Sequence, residues 1–305
     1  MVNASIWTFL PRITRSDSPP KSFKTALLNA GDLMINLRGL GWDFARGVYV
    51  PPHPAGNLSR PAFLLRAAGL TFLNFILGDS CIYLVQLLAP DTFGSPKGGS
   101  LFDPSLPKHW MYGRAVAAEL FTLGFCYFSL LLIYHFLSIL GVGLAGQKLS
   151  QWPPLLNKPA SATSLADLWA KRWHQGFRVV FLYGAGYPFG YLFGRFGLVL
   201  SVFGFSALLH HVGYVSIGRG THYSVILSFM MTGVGLIVEW LWRKATGKKV
   251  GGFLGWLWFV TWSVVWFMPL VDAWAEVGYL GARYMDTSVR PSTWIVALLH
   301  SVLMQ

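Results

Sequence analysis

From Phe63 to Leu88 the chain is apolar for longer than a bilayer is thick, with Arg66 near the entry and Asp79 inside. A helix needs about 20 predominantly apolar residues to cross a hydrocarbon core. A second such run, Ala115 to Leu140, holds Glu119 and His135. In lipid the backbone must satisfy its own N–H and C=O groups, which makes these runs helices. Charge is correspondingly scarce: 12% of residues are charged and 54% hydrophobic. A soluble domain carries roughly 25% charged residues; this chain has too few to coat a water-facing surface. The fold class expected is all-α, a multi-pass integral membrane protein of about 6–8 helices. The 14 Trp and 12 Tyr suit the aromatic belts found where acyl chains meet headgroups.

Beyond the second run the pattern changes. The stretch from Val179 to Ser216 is apolar but broken by Gly184, Gly186, Pro188, Gly190, Gly194 and Arg195. Helix breakers at membrane depth are tolerated where the backbone is buried in protein or lines a cavity. A broken or re-entrant segment is therefore expected near 179–195, followed by a span from Phe196 to Ile217. Further spans are expected from Tyr223 to Trp242 and from Phe253 to Trp274, and a last helix, Ser292 to Met304, is short for a crossing. Residues 1–22 read as a polar cytosolic tail, 23–44 as an interfacial amphipathic piece and 45–61 as a Pro-rich linker. Residues 23–305 are expected to form a single membrane-embedded domain.

The formal net charge is +12. Lys148, Lys158, Lys171, Arg172 and Arg178 gather in one loop, and Arg243, Lys244, Lys248 and Lys249 in another. Cytoplasmic loops concentrate Lys and Arg, so both loops are placed in the cytosol and the 90–112 loop in the lumen. The same charge could attract an anionic substrate. No basic helix or aromatic RNA-binding motif stands out, which excludes nucleic acid as a partner. Cys81 and Cys126 lie in apolar runs and read as packing residues. No Cys/His spacing suits a metal, and the N-terminus has no cleavable signal pattern. The sequons at Asn3 and Asn57 fall on the cytosolic side in this topology and are discounted.

Two groups of residues carry chemistry. His210 and His211 sit in the apolar run Phe203 to Tyr214. Imidazole has the side-chain pKa nearest neutrality, and an apolar setting favours its neutral, proton-accepting form. That suits a general base that deprotonates an alcohol attacking a thioester carbonyl. The alternative for either residue is a histidine hydrogen-bonded between helices. His174 lies between Trp173 and Gln175, with Lys171, Arg172 and Arg178 around it. His174 and Gln175 could donate to a carbonyl oxygen as it becomes an oxyanion, and the three cations could grip phosphates of a donor entering from the cytosol. An interfacial basic-aromatic belt is the structural alternative.

The stretch Ser164 to Arg178 (SLADLWAKRWHQGFR), followed by Phe205 to His211 (FSALLHH), resembles the wax synthase-like branch of the membrane-bound O-acyltransferase superfamily, in its fungal secondary-metabolism type. The shared positions are Ser164, Leu165, Leu168, Trp169, Arg172, Trp173 and His174, then Ser206-Ala-Leu-Leu-His210. The stretch Asn36-Leu-Arg-Gly-Leu-Gly-Trp42 resembles a further element of the fungal members. Relatives carry additional spans ahead of that element, and plant members have an acidic residue where His211 stands.

The resemblance implies an acyltransferase of the endoplasmic reticulum. It would move an acetyl or longer acyl group from acyl-CoA, a co-substrate rather than a bound cofactor, to a hydroxyl of a lipophilic acceptor such as a terpenoid. His210 and His174 are the expected catalytic residues, with Trp173, Gln175 and His211 in support and Lys171, Arg172 and Arg178 at acyl-CoA. Two other classes compete. Asp79, Glu119 or Glu239 could start a cation cascade in an intramembrane terpene cyclase, unless each is paired with Arg66, Arg114 or Arg243. A transporter should show paired broken segments in two related halves, and only one such segment is present.

Overall fold

The computed structural model describes residues 22–36, 38–45, 48–52 and 58–303. Most of the polar tail, the sequon at Asn3 and the asparagine of the sequon at Asn57 lie outside the described residues. The described residues are helical and contain no strand. They comprise α1 (Phe23–Ile35), α2 (Arg60–Leu88), α3 (Lys108–Ile139, continued by a wider turn to Leu144), α4 (Arg178–Val215), α5 (Ser224–Thr246), α6 (Gly252–Glu276) and α7 (Pro291–Leu303). Five of these, α2 to α6, are long and apolar enough to cross a membrane. The chain divides into two compact units: residues 1–56, 148–209 and 229–262 form the first, and 57–147, 210–228 and 263–305 the second.

In the second unit α2 and α3 form an antiparallel pair. An added Cβ on Gly78 would touch Phe128 at 3.5 Å, and one on Gly124 would meet Cys81 Sγ at 3.0 Å, so small residues let the two backbones approach. The guanidinium of Arg60 closes the pair by donating to the Val142 carbonyl oxygen at 2.5 Å. The core of this unit gathers Ile82, Val85 and Phe93 with Ala115 and Ala118 of α3 and Val271 and Ala275 of α6. Asp79 is paired with Arg290, not with Arg66: Arg290 Nε donates to Oδ1 at 2.6 Å. Its other oxygen accepts the Ser292 N–H at 2.7 Å, which seats the first turn of α7. That turn begins at Pro291, the position where a missing N–H costs nothing.

The first unit contains the broken segment, and α4 is a helical hairpin rather than one span. Phe193 and Gly194 leave helical geometry, Gly194 at φ 59. An added Cβ would bring Gly184 to Phe205, Gly186 to Val202 and Gly190 to Leu198, an antiparallel register between a first arm, 178–193, and a second, 195–209. The rings of Phe181 and Phe205 cross edge-on at 5.7 Å in the same register. The broken segment expected near 179–195 is thus present. At 1.5 Å per residue the first arm is only about 24 Å long, while 195–215 is about 31 Å and can cross.

The turn of this hairpin tolerates no side chain at Gly197. An added Cβ there would lie 2.2 Å from the Phe189 carbonyl oxygen and 2.6 Å from Phe193 Cβ. Gly197→Ala is expected to destabilise the protein by about 1–3 kcal/mol or more, as overpacking does. Thermal unfolding in detergent checks this; an unchanged midpoint would mean that the arms do not meet here.

Candidate active site

The motif loop begins at Ser164, whose hydroxyl oxygen accepts the Asp167 N–H at 2.9 Å and caps the short helix Leu165–Asp167. Asp167 Oδ2 in turn accepts the N–H of Thr163, the residue ahead of the cap, at 3.3 Å. A wider turn, Leu168–Arg172, follows and ends at Trp173.

Glu239 of α5 fastens this start. Its Oε1 accepts the Leu165 N–H at 2.7 Å and Trp258 Nε1–H at 3.0 Å, and its Oε2 accepts the Ala166 N–H at 3.0 Å. The buried carboxylate is thus paired with backbone and indole donors, not with Arg243. Below it, Leu165 and Leu168 pack on Phe259, with Trp169, Trp258 and Trp262 around them.

The path of the loop follows from its contacts within the first unit. It leaves the level of Glu239 at Leu165, and Trp169 reaches Phe203 on the second arm of α4, ring centroids 5.5 Å apart. Residues 173–177 make the turn, and the first arm runs back to Gly194. There Phe196 meets Trp240 at 5.4 Å, one residue from Glu239. Residues 165–193 therefore leave from and return to the basic end of α5, and His174 lies at the inner end of that excursion.

The inner turn is knitted by polar groups. The Gln175 amide donates to the carbonyl oxygens of Trp169 at 3.2 Å and Trp173 at 2.7 Å. Arg178 donates to the Ala170 carbonyl oxygen at 2.9 Å and to Gln175 Oε1 at 3.0 Å. Gln175 is buried, and His174 is half-buried between Trp173 and Phe177. Arg172 is engaged in the same way: Nε donates to Asp167 Oδ2 at 2.5 Å and Nη1 to Ser161 Oγ at 2.8 Å. Of the three cations expected at a donor, Lys171 alone is exposed. Asp32 and Arg38 tie the Asn36 to Trp42 element into this unit. Trp42 Nε1 donates to Asp32 at 2.8 Å, and Arg38 Nη1 donates to the Pro154 carbonyl oxygen at 3.3 Å.

By the hairpin register, 184 against 205 and 190 against 198, the second arm regains the level of Val179 near Leu209. His210 follows Leu209 in the chain and belongs to the second unit. It is exposed on its helix, beside exposed Leu208 and Val212. His211 is half-buried and fixed by neighbours. Thr221 Oγ1 bonds its Nε2 at 3.0 Å, and its ring stacks with Tyr214 and Tyr223 at 6.5 and 6.1 Å. Its Nδ1 is buried without a hydrogen-bond partner among the described residues.

Of the three carboxylates that could serve a cyclase, Asp79 and Glu239 are occupied as described. Glu119 is fully buried on α3 between Ala118 and Thr122, and neither of its oxygens has a hydrogen-bond partner among the described residues. It is not bonded to Arg114, which pairs with Asp103 at 3.4 Å. Among the described residues no group of three His, Cys, Asp or Glu is placed to hold a metal ion. Sequence reasoning passed over Asp167 and Glu239 as organisers of the loop. The Ser-x-x-Asp spacing was a readable signal for the first, whereas nothing local signals the second.

Comparison with known proteins converges on the same segment. Residues 152–232 match the membrane bound O-acyl transferase family. The chain is similar to three fungal proteins named as acetyltransferases. Acetyltransferase eriL of Hericium erinaceus is 25% identical over 81% of this chain and 65% of its own length. Acetyltransferase spyB of Aspergillus fumigatus is 26% identical over 62% of this chain and 34% of its own length. Acetyltransferase ataH of Aspergillus terreus is 30% identical over 50% of this chain and 52% of its own length. The chain thus spans between about a third and two thirds of these relatives. No solved structure matches it.

Proposed function

We propose that this chain, which matches the membrane bound O-acyl transferase family over residues 152–232, moves an acyl group, acetyl or longer, from acyl-CoA to a hydroxyl of a lipophilic acceptor. The acceptor is a terpenoid or another secondary metabolite, and the membrane is that of the endoplasmic reticulum. The observation that carries this reading is the coincidence of the matched segment, 152–232, with the re-entrant loop and hairpin that hold His174 at their inner end.

His210 is the base. As the acceptor oxygen attacks the thioester carbon, His210 takes the hydroxyl proton. The carbon–sulfur bond then breaks, and the proton passes to the departing thiolate, leaving an ester and free CoA. His174 donates to the carbonyl oxygen while negative charge develops on it. Gln175 and Trp173 shape the turn that presents His174, because the Gln175 amide is bonded to the Trp173 and Trp169 carbonyls. Arg172 and Arg178 hold the loop through their internal bonds, and exposed Lys171 is left to meet the donor. An exposed His210 suits an acceptor that arrives from the bilayer, and His211 sets the orientation of the neighbouring turn.

Thiol release tests the reading. Membranes containing the protein, given acetyl-CoA and a panel of lipophilic alcohols, should liberate CoA thiol in step with ester and only when an acceptor is present. Thiol release that ignores the acceptor would contradict transfer to a hydroxyl.

A further inference from the structure

The turn of the α4 hairpin carries a feature that the transfer step leaves unused. An open groove of about 630 Å³ lies there on the first unit, lined by Tyr187, Gly190, Tyr191, Arg195, Leu198 and Val199. The Arg195 guanidinium lies 5.6 Å from the centroid of the Trp240 ring, and the Lys244 ammonium lies 5.6 Å from the same centroid. Both cations are exposed, and neither has a carboxylate partner among the described residues.

Two positive groups on one indole repel each other, and each is held there by the ring quadrupole. A bound anion would relieve the repulsion. The surroundings add to the field, because Arg243 precedes Lys244 and Lys248 and Lys249 follow it in the loop. By contrast, Arg172 and Arg178 are taken up by internal acceptors. Exposed Lys171 apart, the cations of this unit that stand at a groove are those of the hairpin turn, beside tyrosine rings suited to stacking.

We propose that this groove is the phosphate-binding end of the donor site, with Arg195 of its wall, and Lys244, which shares the Trp240 ring with Arg195 without lining the groove, holding the phosphates of the nucleotide part of acyl-CoA. The proposal rests on the acyl-CoA reading above and places the donor's charged end at the basic face. Arg195 and Lys244 are binding residues and take no part in the transfer itself.

The test compares wild type with Arg195→Ala/Lys244→Ala in full-length protein reconstituted in nanodiscs, using acetyl-CoA and S-acetyl-pantetheine, a donor without phosphates. For acetyl-CoA the variant should raise KM about tenfold or more, the loss expected when charge-assisted contacts to phosphate disappear, with kcat nearly unchanged. For S-acetyl-pantetheine the two proteins should behave alike, and Arg195→Lys should restore part of the acetyl-CoA affinity. Equilibrium binding of free CoA to the purified protein should weaken in parallel.

An unchanged KM for acetyl-CoA would overturn the proposal, as would an equal loss with both donors. A defect that depends on anionic phospholipid in the nanodisc, with KM for acetyl-CoA unaltered, would assign the groove to a lipid headgroup and overturn it too. CoA binding that requires Arg195 in a protein that transfers nothing would sustain the groove and refute acyl transfer. Transfer that is indifferent to Arg195 and Lys244 would refute the groove alone.

Discussion

His210→Ala should abolish acyl transfer, by about 10²–10⁴-fold, the contribution of a positioned acid–base group, while the protein still enters the membrane in normal amounts. The side chain is exposed on its helix, so its loss opens no buried cavity. The neighbouring His211→Ala variant is the control. It removes the bond to Thr221 and the stacking with Tyr214 and Tyr223, and it should cost about 1 kcal/mol of stability with most of the transfer retained. Steady-state transfer, normalised to protein in the membrane, separates the two. Full activity in His210→Ala would remove that residue from the chemistry, and loss confined to His211→Ala would reassign the base.

The second large effect is expected at Glu239, which touches no substrate. Glu239→Ala strands three donors, the N–H of buried Leu165, that of exposed Ala166 and the indole of half-buried Trp258. An unsatisfied buried donor costs about 1–3 kcal/mol, and the two less buried donors cost less, so a destabilisation of roughly 1–3 kcal/mol is expected. The start of the motif loop would lose its anchor, and a misplacement near 1 Å can reduce a rate about 10²-fold. Glu239→Gln should fall between wild type and alanine. Its amide oxygen can still serve Leu165 and Trp258, but its NH₂ group would face the Ala166 N–H. Thermal unfolding and transfer, measured side by side, check the account. Normal stability and transfer in Glu239→Ala would show that the loop is held by other means.

The spans were legible because lipid imposes one demand along the whole of each run: apolar side chains and a self-satisfied backbone. The hairpin was legible because Gly184, Gly186, Gly190 and Gly194 serve no purpose in a straight crossing, and each of the first three lies where the opposing arm comes close. The order of the two histidine segments could be read as well, since it lies within one continuous stretch. Partnerships between distant residues could not. Arg290 finds Asp79 across 211 positions, and neither neighbourhood marks the other.

Arg172 and Arg178 show the complementary limit. Their charge is visible in the sequence and suggests phosphate, but the Asp167, Ser161 and Gln175 groups that engage them are fixed by the turn geometry. Arg195 was read only as an interruption of an apolar run. Its position beside Trp240 follows from the antiparallel packing of α4 on α5, which places Gly233 against Phe203 and Phe196 against Trp240.

The central claim is that the chain adds an acyl group to a lipophilic alcohol, and product mass tests it most directly. Membranes carrying the protein are incubated with acetyl-CoA and a prenylated alcohol, and the lipophilic product is weighed by mass spectrometry. Acyl transfer predicts a product heavier than the acceptor by one acetyl group in place of a hydrogen, formed only when the donor is present. A product of unchanged mass, formed in washed membranes without donor and lost in Glu119→Gln, would mean proton-initiated cyclisation and would contradict the account.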